Sequence, residues 1–163
     1  MARQTRSPGP IAVEPIGAVT EAPAPIPVVA MFRWAPPFGD GAPRPTPAVA
    51  VAWTTAQVRV RGSARRGGGP GGGTGDDAGV WLPARDVHRV HAAPTPWPVV
   101  ARVRTRTGAT ADVPGLVLAR ATTRTGRDVA VRVLLAPDTD DAEERWLLTE
   151  ALVDADPLSD VPD

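Results

Sequence analysis

Two histidines and a carboxylate stand together in the run DVHRVH at 86–91, and these residue types are those from which metal sites are built. On a strand, successive side chains point to opposite faces. Asp86 and His88 would then share one face while His91 takes the other, so three ligands do not converge and no metal is expected. Residues 67–72 satisfy the spacing G-x-G-x-x-G, but Asp76, Asp77 and a strand follow, where a nucleotide site needs a helix N-terminus. There is also no Lys to serve a phosphate loop. The run DTDDAEE at 138–144 is rich in oxygen ligands, yet Glu143 occupies the sixth position, where a calcium loop turns on Gly. No cofactor is expected.

Nucleophilic chemistry has little to draw on. The chain has no Cys, and its three Ser residues (Ser7, Ser63 and Ser159) fall in segments that cannot hold a base within hydrogen-bond reach. The expectation is a protein that is not an enzyme. What remains is charge and aromatic surface. Arg59 and Arg61 alternate with Val on one segment, and Arg102, Arg104 and Arg106 alternate with apolar residues and Thr on another. A basic face across those two strands would suit phosphate backbones, more so with Trp exposed for base stacking. That is the alternative, nucleic-acid-binding reading. The leading expectation is a non-enzymatic interaction protein with a protein partner. The five Trp (Trp34, Trp53, Trp81, Trp97 and Trp146) recur at repeat positions, which makes most of them expected core anchors.

The 163 residues suffice for one ordinary domain or two very small ones. Arg supplies all 18 basic residues, a skew that a GC-rich coding bias would produce. Net charge is zero but unevenly laid out: 13 Arg against six acids up to Ala111, and five Arg against 12 acids from Asp112 onward. From Leu135 to the end there are ten acids and one Arg, so this part is expected to screen the Arg face at low salt. Pro and Glu interrupt the apolar residues near the N-terminus, so no signal core or membrane span forms. A soluble, cytoplasmic protein is the expectation.

The elements that would position these residues come from a faint internal duplication. Residues 28–34 (VVAMFRW) are echoed by 99–105 (VVARVRT), 48–52 (AVAVA) by 115–119 (GLVLA), and VRV at 58–60 by VRV at 131–133. WLPARDV at 81–87 is echoed by WLLTEAL at 146–152. Four blocks recurring in one order predict two copies of a small β module. The expected organisation is a disordered Pro-rich leader at 1–27, a first module at 28–92 and a second at 93–156, then an acidic tail at 157–163. Within the first module a Pro-rich loop at 35–47 precedes the strand at 48–54, and a flexible Gly-rich loop covers 62–79. The run APTPWP at 93–98 reads as a Pro-broken linker, and Gly108 and Pro114-Gly115 as turn signals. Between 138 and 155 two readings compete. Asp140 with Glu143, and Leu147, Leu148, Ala151 and Leu152, follow helical rules. The repeat instead predicts a strand at Arg145–Leu148 and a single helical turn, and is given the greater weight.

The stretch VWLPARDVHRV resembles the end of a Src-homology-3-like barrel, in which an aromatic-aliphatic strand meets Pro, makes one tight helical turn and leaves through a short strand. Pro83 stands at the family's Pro and Val87 at its apolar position four residues on. Asp86 stands where peptide-binding members carry a groove Tyr, and the second copy has Leu148 in place of the Pro. The resemblance implies a mainly β fold, two small barrels of the Src-homology-3 or Tudor type in tandem with a short C-terminal helix as an option. Such folds serve many functions, so it implies no activity.

Overall fold

A computed structural model of the chain describes residues 14–33, 36, 40–62, 79–105 and 107–153. The start of the expected leader, most of the Gly-rich loop, the acidic tail, Trp34 and Arg106 lie outside the described residues. The chain divides into two compact units, Met1–Val87 and His88–Asp163. The division thus falls inside the expected first module rather than between residues 92 and 93.

In the first unit, β1 (Thr20–Arg33), β2 (Pro43–Trp53), β3 (Gln57–Gly62) and β4 (Val80–Pro83) form antiparallel ladders in the order β4-β3-β2-β1, and a 3-10 turn at Ala84–Asp86 follows. The core is the inward set of an alternating pattern: Val28 and Ala30 from β1, Ala48 and Ala50 from β2, Val60 from β3 and Leu82 from β4. Ile26, Phe32, Val58, Val80 and Val87 pack against it.

The second unit repeats the order. It holds β5 (Val87–Arg104, beginning at the boundary), β6 (Thr110–Thr122), β7 (Asp128–Leu135) and β8 (Glu143–Leu148), again a meander of antiparallel ladders. A 3-10 turn at Thr149–Ala151 leads to β9 (Leu152–Val153), which pairs back on β5 at Val100 and Ala101. The core comprises Ala101, Val103, Val117, Val131, Val133 and Leu135, with Val99, Val113, Leu147 and Leu152 against it. The repeat's strand and turn therefore prevail over the helix at 138–155, where the only helical piece among the described residues is the three-residue turn.

The architecture is mainly β with open antiparallel sheets, not closed barrels. Among the described residues no ladder joins β4 to β1 or β8 to β9.

Three Pro-rich runs expected to be unstructured or loop are strand. β1 begins at Thr20, inside the expected leader; β2 begins at Pro43, inside the expected loop; and β5 runs through the expected linker. In each run Pro falls at every second position: 23, 25, 27; then 43, 45, 47; then 94, 96, 98. An antiparallel strand donates to a given neighbour only from alternate residues, so Pro in the non-donating phase removes no bond from that ladder. Pro43, Pro45 and Pro47 face Arg33, Met31 and Val29 of β1 in this way. Pro114-Gly115 likewise lies within β6, opposite Val100 and Val99.

The first and third of these runs carry a repeat block, divided in the first copy by the expected leader boundary after residue 27 and in the second by the end of the expected linker at residue 98. APAPIPVVA at 22–30 matches APTPWPVVA at 93–101 at seven of nine positions. Both copies break register in the same way. Residues 22–25 stand opposite Val51 alone, between the pairs Glu21↔Ala52 and Ile26↔Ala50. Residues 93–96 stand opposite Leu118 alone, between Ala92↔Ala119 and Trp97↔Val117. A bulge of four residues against one, reproduced with its Pro residues, re-aims the strand that follows.

Candidate functional site

The clearest correction concerns the Trp residues. None of the four described Trp belongs to either core or packs directly against one. Leu82 and Leu147 take the inward positions on β4 and β8, and strand alternation sends the adjacent Trp81 and Trp146 to the other face. Trp53 ends β2 half-buried, and Trp97 is 37 % exposed.

Each outward Trp on β4 and β8 meets an Arg across the ladder. Arg59 pairs with Trp81, and Arg132, the same position of the second VRV, pairs with Trp146. The Arg59 guanidinium lies 5.7 Å from the Trp81 ring centroid, within cation–π range. Its Nη2 donates to both Glu21 carboxylate oxygens at 2.9 and 3.0 Å. Arg132 has Glu144 beside it at 3.7 Å. Among the described residues the buried Nε donors of Arg59 and Arg61 have no hydrogen-bond acceptor, and the buried Nε of Arg132 is the atom that faces Glu144. Gly79 makes room for the first pair. It has φ +73, and a Cβ there would lie 2.8 Å from the Val60 carbonyl oxygen and within 3.2 Å of the Arg59 and Arg61 side chains.

The expected Arg face is distributed differently. Arg59 and Arg61 belong to the first unit, Arg102 and Arg104 to the second, and Arg106 lies outside the described residues. Arg102 sits opposite Asp112 on β6 and holds it with two hydrogen bonds of 2.8 and 3.0 Å. That pair raises the Arg102 pKa and lowers that of the Asp112 carboxyl, in each case chiefly through the hydrogen bond between them. Arg104 is exposed, and its carbonyl accepts a bond from the Arg145 guanidinium. The acids of the expected tail-side cluster are partly engaged as well: Glu143 pairs with Arg145 and Glu144 with Arg132. Asp138 lies in the β7–β8 turn with φ +66, near Ala136 at φ +46.

Two sites went unread in the sequence. The Arg–Trp pairs were legible from VRV and WL recurring together, had the Trp been assigned to the phase opposite Leu. Gln57 gave no signal, because a single Gln at a strand start has no pattern. Comparison of the chain with protein families, curated proteins and solved structures finds no match.

Proposed function

We propose that the chain is a non-catalytic binding protein made of two Src-homology-3-like modules in tandem, and that it engages a protein partner through the Trp-bearing outer faces of those modules. The observation that carries this reading is the placement of every described Trp outside both cores. A Trp that adds nothing to a core is a large apolar surface with a polar tip, the side chain most concentrated at interface hot spots. The pairing of an Arg with an outward Trp occurs at the same position in both units, and Arg and Trp are among the residue types most concentrated at interface hot spots.

The module reading rests on strand order. Four meandering strands, a 3-10 turn and a short strand returning to the first describe the second unit. The first unit has the four strands and the turn, with Val87 against its core. Phosphate-backbone binding is the less favoured function, since Arg59 and Arg102 are already held by Glu21 and Asp112.

The test uses the intact chain and the variants Trp81→Ala, Trp97→Ala and Trp146→Ala, alone and combined. The expected result is retained folding with loss of the protein partner captured by crosslinking in the native host. Capture unchanged in the triple variant overturns the reading. So does salt-steep binding to mixed DNA and RNA that is indifferent to the three Trp.

A further inference from the structure

The first unit buries a polar side chain where the second buries a methyl group. Gln57 begins β3 one residue before VRV and is 6 % exposed; Ala130 holds the same place before the second VRV and is fully buried. A buried amide is costly without partners, so its partners reveal what the position is for. Both lie in the segment that precedes β1. Gln57 Oε1 accepts from the Ile16 N–H at 2.8 Å, and Nε2 donates to the Glu14 carbonyl at 3.3 Å.

The amide is aimed by the turn before it. Thr54 Oγ1 accepts from the Ala56 and Gln57 N–H groups, and the Thr54 N–H donates to the Gln57 carbonyl at 2.8 Å. The Gln57 main chain is thereby fixed while its side chain reads another backbone. It reads a carbonyl and the N–H two residues later, the pattern a neighbouring strand offers. Pro15 lies between them and needs no donor of its own.

Among its described residues, 14–19, the strap gives the unit almost nothing else. Ile16 is 71 % exposed and Val19 is 43 % exposed, so its large apolar side chains bury little. Gly17, at φ +97 with nothing within 4 Å of a Cβ, forms an open bend between strap and β1.

We propose that Gln57 forms a backbone-reading peptide site on the first unit, filled by the chain's own Glu14–Ile16 and taken in exchange by an extended segment of a protein partner. The ligand class is an extended peptide that tolerates Pro at the central residue and requires an N–H at the next. A second copy's strap is the weaker competitor. It would make the same two hydrogen bonds, while the resident strap is tethered through a few residues and enjoys a millimolar-scale effective concentration. A partner segment with the same backbone pattern can compete because the resident strap, with Ile16 and Val19 exposed, is held to Gln57 by only two side-chain hydrogen bonds.

The experiment opens the site in the full chain. Ile16→Pro removes the N–H that Gln57 Oε1 accepts, at an exposed position outside every strand. Gln57→Ala installs the residue the second unit already uses. A displayed library of random octapeptides with Pro fixed at the fourth position is selected on the Ile16→Pro chain. The enriched peptides should bind that chain at least tenfold more tightly than wild type, and Ile16→Pro/Gln57→Ala should lose this gain. Amide exchange at residues 14–19 should also quicken in Gln57→Ala while the β2–β3 ladder stays protected. The proposal is overturned by a selection that yields no peptide, by peptides that bind the double variant equally, or by a strap unmoved in Gln57→Ala. Concentration-dependent dimers that vanish with Gln57→Ala would give the site to a second copy and overturn the assignment to a partner.

Discussion

Single residues here show how little space and charge the two units leave unassigned. Gly115 stands on β6 where the first unit has Ala48, and a Cβ there would lie 2.5 Å from Val133 Cγ1 and 3.0 Å from the Leu134 carbonyl oxygen. Val133 is β-branched and buried, so it cannot swing away. Gly115→Ala should therefore destabilise by about 1–3 kcal/mol, the usual range for overpacking, as read by urea denaturation. The Arg102–Asp112 pair makes a prediction about pH. Its hydrogen bond depresses the folded-state pKa of Asp112, so whatever the exposed pair contributes is present above the ordinary carboxylate range and lost as pH falls through the depressed value. Carboxyl NMR should place the Asp112 pKa below the ordinary carboxylate range, and Arg102→Ala should return it to that range. The Arg alternation was legible from the sequence. The partners Glu21 and Asp112 were not, because a pairing register cannot be read from one strand alone.

At the level of elements, strand phase decides both what was legible and what was missed. VRV at 58–60 and at 131–133 placed Val in the cores and Arg outside, because Val and Arg differ enough in hydration to fix the phase. Trp and Leu in WL are both apolar, so their phase was ambiguous, and Leu took the interior. Leu82→Ala should consequently cost about 2–5 kcal/mol while Trp81→Ala costs clearly less, a comparison that one denaturation series settles. Pro misled for a different reason: its missing donor matters only in the donating phase. Pro25→Ala should change stability by no more than about 0.5 kcal/mol. Val28→Pro would place Pro in the opposite phase, at a buried ladder position facing Ala48, and should cost at least about 1–3 kcal/mol through an unpaired carbonyl on β2.

For the molecule as a whole, the two cores share no residue. Leu82→Ala and Leu147→Ala should then be additive within about 0.5 kcal/mol in the double variant. Non-additivity well beyond that would mean the cores are energetically one body. The element order common to both units was foreseeable from four short blocks, whereas the strongest block, APxPxPVVA, was hidden by treating Pro as a terminator.

That block has a kinetic consequence. During folding, β6 searches for β5, but β1 carries nearly the same string, with the same Pro phase and the same four-against-one bulge. Tandem repeats this alike invite misassembly, in which one copy's strand occupies the other's seat. The seat differs chiefly at one apolar position, Ile26 in the first copy and Trp97 in the second. An aliphatic side chain can tuck against the first core, as Ile26 does, whereas an indole there would crowd a neighbourhood built around Val28, Ala30 and Ala50. Trp97 is therefore expected to act during folding as a key that does not turn the wrong lock. Trp97→Ile should leave the native fold in place yet increase the slow-refolding, mispaired fraction seen in stopped-flow double-jump experiments.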